Sequence, residues 1–236
     1  MIPIRDDNPT TLTPVITVSL IACCVLVFLW QISHGEDAQQ LIVYALGVIP
    51  AVLFEGAILP EEIAWIPPTL TVFTSMFLHG GWGHLLGNML YLWIFGNNIE
   101  DAMGHLRFIL FYLLCGVAAV LAQALPDTGS EIPMVGASGA ISGVLGAYLL
   151  LHPHARVLVV IPIGFIIQTI QLRAVWVLGL WFGIQLLSSA LAASDQGGVA
   201  FGAHIGGFIA GMALVPFFKH RNIALQNPFG PDPDHR

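Results

Sequence analysis

Ser138 lies in the run Gly136-Ala137-Ser138-Gly139 inside an apolar stretch, and two further apolar stretches carry His84 with Asn88, and His204. A serine hydroxyl becomes a useful nucleophile beside a base, and histidine serves because its ordinary pKa of ~6.5 lets it accept and return a proton. Acyl transfer also needs donors aimed at the developing oxyanion. His84 and Asn88 are spaced i, i+4 and share one helix face, so an imidazole N–H and the Asn amide offer such donors. The Ser138 backbone N–H, near the start of its helix, adds another. No Asp or Glu lies in the later apolar runs to orient His204, so these residues imply a Ser-His dyad and not a triad.

The elements that must position them are membrane spans. The chain of 236 residues is 56% hydrophobic and 9% charged, which excludes an ordinary soluble domain. A helix needs ~20 apolar residues to cross the hydrocarbon, and six runs qualify: 14–32, 82–99, 106–125, 134–151, 174–192 and 199–218. The connection 33–81 mixes Leu53, Phe54, Trp65 and Ile66 with Pro, Gly and acids, and reads as interfacial elements without a span. Segment 157–170 is apolar but short and contains Pro162 and Gly164. With six spans and the N-terminus inside, all seven Lys and Arg fall on the cytoplasmic side; a seventh span over 157–170 would spoil that pattern.

Counted down from the outer face at ~1.5 Å per residue, Asn88, Ser138 and His204 all lie roughly 5 to 10 Å deep. Polar groups in spans are expensive and by default functional. Gly139 with Gly143, Gly202 with Gly206, and Gly207 with Gly211 are small-xxx-small pairs, and they should pack the fourth and sixth spans closely. The remaining segments, 1–12 and 219–236, read as polar cytoplasmic extensions with little intrinsic structure around a catalytic body over 13–218.

Blander readings stand beside these. A serine in a Gly/Ala-rich span, taken alone, is more often a packing residue, and a lone span histidine can simply bridge helices. His79, His84 and His204 together suggest a metal site, but the HExxH pattern is absent and no carboxylate shares the spans. His34, His105, His152, His154, His220 and His235 sit at span ends or in the tail, where interfacial solvation explains them. Cys23, Cys24 and Cys115 fall in apolar runs and read as packing residues. The net charge of −7 is divided between segments, and no basic patch suits nucleic acid.

The constellation resembles the rhomboid family of intramembrane serine proteases over nearly the whole chain. The matching residues are His79-x4-His84-x3-Asn88, Gly136-Ala137-Ser138-Gly139, Ala203-His204-Ile205-Gly206-Gly207 and Gly96-x3-Glu100-x3-Gly104. The resemblance implies an all-α, six-span bundle with a long first extracytoplasmic loop. It makes Ser138 the nucleophile, His204 the base and then acid, His84 and Asn88 oxyanion stabilisers, and His79 a structural residue. It further implies transmembrane-helix substrates cut near the outer face of the bilayer, and no metal or organic cofactor.

Two positions depart from the family pattern. Leu70 and Thr71 stand where a Trp-Arg pair is common, which bears on how the first loop is anchored. Ser142 stands where an aromatic residue usually packs on the base histidine, so His204 is either held by other contacts or less well oriented, and Ser142→Phe is expected to be tolerated, with activity kept or raised. The second functional reading is a non-proteolytic rhomboid-like protein that binds membrane clients; such relatives typically lack the nucleophile or base retained here. A small transporter should carry its polar residues on to the inner face, whereas these stop in the outer half. The expected location is a prokaryotic plasma membrane with both termini cytoplasmic, since the N-terminus is not Arg-rich and no cleavable signal precedes the first run.

Overall fold

A computed structural model describes residues 1–163, 166–191 and 200–228. The expected end of the fifth run at 192, the start of the sixth at 199 and the tail beyond 228, with His235 and Arg236, lie outside the described residues.

Each expected run contains a helix. They are α1 (Val15–Ile32), α5 (Trp82–Met103), α6 (His105–Ala124), α7 (Ser138–Leu151), α8 (Ala174–Leu191) and α9 (Phe201–Phe218). Four are long and apolar enough to cross a membrane: α1, α6 with the following 3-10 turn to Asp127, α8 and α9. The protein is a multi-pass membrane protein. Helix α5 has 22 residues but carries Glu100 and Asp101 in its last turn, and α7 has 14 residues, about 21 Å of rise.

The connection 33–81 is built from α2 (Glu36–Leu46), α3 (Pro50–Phe54), α4 (Pro68–Thr74) and a 3-10 turn, all too short to cross. Proline in the first turn starts α3 and α4, where its missing N–H is no loss. Glu36 and Asp37 oppose the positive end of α2.

Three local expectations change. Residues 134–137 are not helical: Met134 pairs with Val48, and α7 begins at Ser138. The N-terminal segment, expected to be unstructured, forms strand β1 (Ile2–Asp6). The segment after α7 forms β2 (Arg156–Ile163) and β3 (Ile166–Arg173). The three make one antiparallel sheet in the order β1-β2-β3, with Ile2 opposite Val160 and Arg156 opposite Arg173. Val157 and Val159 are buried and Leu158 between them is only half-buried, the alternation a one-sided strand requires. The segment is therefore no span, as the distribution of Lys and Arg suggested, while the all-α expectation holds for the apolar body and not for this appended sheet.

Further bonds tie loops together at this end of the bundle. Asn98 donates to the Asn8 carbonyl at 3.0 Å, His220 N–H to Ala102 at 2.8 Å and Gln226 N–H to Leu150 at 2.8 Å. Arg5, Arg107, Arg156, Arg173, Lys219 and Arg221 all belong to elements of this end. Glu100, fully buried, accepts from the N–H groups of Ile16 and Thr17 at 2.8 Å each and caps α1, which has no cap of its own. At the opposite end Ala51 N–H donates to Ser130 at 3.0 Å and Gly136 N–H to Ser75 at 2.8 Å.

Helix α7 is the centre of the bundle. Every residue from Gly139 to Tyr148 is buried, which an apolar surface on all sides permits. Its glycines face α9 and α6, so the helices approach to backbone contact.

Candidate active site

Ser138 is half-buried at the first turn of α7, preceded by the non-helical residues 134–137. Gly136 has φ +122°, a conformation side chains rarely adopt, and a Cβ there would come 2.6 Å from His84 Nε2 and 3.8 Å from Asn88 Nδ2. Glycine thus lets the two α5 side chains lie against the backbone two residues ahead of Ser138.

Gly80 N–H donates to Nδ1 of His84 at 3.3 Å, so Nδ1 is the acceptor and the proton of the neutral ring resides on Nε2, the atom facing Gly136. Beside it, Asn88 Nδ2 is buried without a partner. Two N–H donors therefore converge on the same place, and one is held with its bond unmade.

His204 approaches from α9. Ala203, its chain neighbour, lies 3.8 Å from where a Gly139 Cβ would sit, and Gly207, one turn on, meets the Gly139 carbonyl. His204 is buried, and its Nδ1 lies 2.7 Å from Gln185 Oε1 on α8. Trp181 faces the same imidazole with ring centroids 5.8 Å apart and planes inclined by 38°. The first turn of α7 thus runs between the His84 and Asn88 face of α5 and the His204 turn of α9.

His79 stands behind His84, with ring centroids 5.1 Å apart. Its carbonyl accepts from Gln31 Nε2 at 3.1 Å, which ties the start of α5 to α1. In place of a Trp-Arg pair, the first loop is anchored by Thr74, which donates to the Leu46 carbonyl at 2.6 Å, and by the Gly136 to Ser75 bond. Of the remaining histidines, His105 bonds Glu100 at 2.6 Å with its side chain still 43% exposed, whereas His154 is buried against the Asn227 carbonyl, so solvation does not account for His154.

Ser142 is fully buried, and its hydroxyl donates to the Ser138 carbonyl at 2.6 Å. Its Cβ lies 3.4 Å from where a Gly207 Cβ would sit. Ser142 is fully enclosed, so Ser142→Phe is expected to overpack its surroundings, against the expectation from the family pattern. The aromatic contact to His204 comes from Trp181 instead.

Sequence reasoning missed Gln185 and Trp181. A signal existed: Gln185 is a polar amide inside an apolar run, and Trp181 precedes it by four residues on one helix face. Among the described residues no three His, Cys, Asp or Glu side chains converge as a metal site requires. A cavity of about 250 Å³ lined by Arg5, Asp6, Trp93 and Asn97 lies at the basic end and includes none of these site residues.

The Rhomboid domain model matches residues 68–221. The rhomboid protease GluP of Bacillus subtilis is 32% identical over 202 residues, 85% of this chain and 35% of the relative. Rhomboid protein 1, mitochondrial, of Saccharomyces cerevisiae is 29% identical over 153 residues, 63% of this chain and 41% of the relative. Rhomboid-like protease 5 of Toxoplasma gondii is 33% identical over 172 residues, 71% of this chain and 18% of the relative. The chain spans less than half the length of each of these relatives.

Proposed function

The chain belongs to the rhomboid family, and from that premise we propose that it is an intramembrane serine endopeptidase working through a Ser138-His204 dyad. Ser138 Oγ attacks the scissile carbonyl carbon while His204 Nε2 takes its proton. The oxyanion that forms is held by His84 Nε2–H, the Asn88 amide and the Ser138 backbone N–H. His204 then gives its proton to the leaving amine, and the C–N bond breaks. A water, deprotonated by His204, releases the acyl group and restores the serine.

The observation that carries this reading is the pair of donors beside Gly136: the buried, unpartnered Asn88 amide and the Nε2–H of His84. Donors gathered where a carbonyl oxygen would develop charge, next to a serine at a helix start, suit acyl transfer better than client binding.

In this reading the helices of all six apolar runs cross the bilayer, including the short α7. The basic end faces the cytoplasm, following the positive-inside rule, with both chain ends there. The connection 33–81 then lies outside, and the site opens towards the outer face. The substrates are transmembrane proteins whose spans can unwind near that face, in the plasma membrane of a prokaryote.

The test is labelling of the detergent-solubilised protein with a fluorophosphonate, with peptide mapping of wild type and His204→Ala. An adduct on Ser138 that requires His204 is the expected result. A folded wild-type protein that takes no label would favour the client-binding reading.

A further inference from the structure

We propose that Gln185 is a positioning residue of this site, accepting the Nδ1 proton of His204 and so keeping the Nε2 lone pair free for the proton of Ser138. The inference rests on Ser138 and His204 acting as nucleophile and base.

An amide oxygen can only accept, and Gln185 Oε1 lies 2.7 Å from His204 Nδ1. A neutral imidazole carries one proton, so donation from Nδ1 makes Nε2 the acceptor. In the other tautomer two lone pairs would face each other in a buried place, which is unfavourable. The amide therefore selects the tautomer that general-base chemistry needs.

The placement of Gln185 supports a dedicated role. Ile184, Leu186 and Leu187 around it are exposed at 49%, 47% and 61%, while Gln185 is buried. On a helix whose neighbouring side chains face outward, the polar residue is the one turned inward. Trp181, one turn earlier, lies across the imidazole and holds its plane while Gln185 fixes its rotation. Helix α8 so supplies both the in-plane anchor and the face contact for a histidine carried by α9.

A neutral amide also fits the surroundings. Sharing an apolar span with an orienting carboxylate would bury a second charge at considerable cost. Gln185 orients the ring without that charge, which accounts for a dyad with no acid beside it.

The experiment follows phosphonylation of Ser138 by a fluorophosphonate in the full detergent-solubilised chain, from about pH 5 to about pH 9, spanning histidine titration. Wild type is compared with Gln185→Leu, Gln185→Glu and His204→Ala. Gln185→Leu, similar in size, is expected to slow labelling about tenfold to a hundredfold with thermal unfolding little changed. Gln185→Glu is expected to keep an acceptor and label well under alkaline conditions, with the acid limb of its profile moved to higher pH because a carboxylate holds the imidazolium. A wild-type rate in folded Gln185→Leu, with His204 still required, would overturn the proposal. Should Gln185→Leu not fold, Gln185→Glu decides, and an unmoved acid limb overturns it. Failure of wild type itself to label would overturn the nucleophile and base assignments, and this inference with them.

Discussion

Gly207 of α9 lies so close to Gly139 of α7 that a methyl group on Gly207 would overlap the Gly139 carbonyl oxygen. Both sides of this contact are backbone, so neither can give way without moving a helix. It is the contact that brings the His204 turn against the first turn of α7.

Gly207→Ala should therefore push the two helices apart, destabilising the protein by roughly 3 kcal/mol and removing Ser138 labelling. Gly179→Ala on α8, where nothing lies within 4 Å of an added Cβ, is the control. It should unfold within about 1 kcal/mol of wild type. Equal thermal stability of the two variants would show that the close approach is not needed.

Ser142→Phe should fail for a related reason. The residue is fully buried one turn after Ser138 and faces Gly207, so overpacking should destabilise the fold by at least about 1–3 kcal/mol. Ser142→Ala removes only a hydroxyl that bonds back to the Ser138 carbonyl and should keep most activity. Thermal unfolding of both variants, followed by labelling, checks the pair; a Phe variant as stable as wild type would refute the packing account.

Asn88→Ala should leave folding intact, because the Asn88 amide nitrogen has no partner to lose. If it donates to the oxyanion, phosphonylation of Ser138 should slow by about 100- to 1,000-fold. An unchanged rate would exclude Asn88 from the oxyanion site.

At the basic end, burial raises the Asp6 carboxyl above its ordinary range, although the hydroxyl of Tyr148, which donates to it, pulls it part of the way back. A carboxyl raised by folding contributes its full stability below the unfolded pKa of about 3.9, and loses it as the pH climbs through the folded value. Asp6→Asn keeps an acceptor for Tyr148 and has no such loss. Its melting temperature should gain on wild type as the pH is raised from about 4 to about 7. A difference that does not vary with pH would exclude Asp6 as the titrating group.

The helical body was legible because its signals are local. Apolar runs long enough to span report themselves without reference to the rest of the chain, and each of the six contains a helix. Ser138, His84, Asn88 and His204 stood out in the sequence because polar groups in such runs need a reason to be there. The distribution of Lys and Arg also separated 157–170 from the spans, since a seventh span would have put Lys219 and Arg221 on the outer side.

What the sequence by itself determined, then, was which residues sit in the membrane-spanning runs and which of them have the means to do chemistry. Tertiary structure decided the rest, because the deciding partners are far apart in the chain. Ile2–Asp6 becomes a strand only by pairing with Arg156–Ile163, a contact that no local pattern reports. Helix α7 starts at Ser138 because Met134 is engaged by Val48 and Gly136 by Ser75. His84 meets the Gly80 N–H, and His204 meets Gln185, nineteen positions earlier on another helix. Residue types name the groups that can transfer a proton, but only the three-dimensional hydrogen bonds decide which nitrogen holds it.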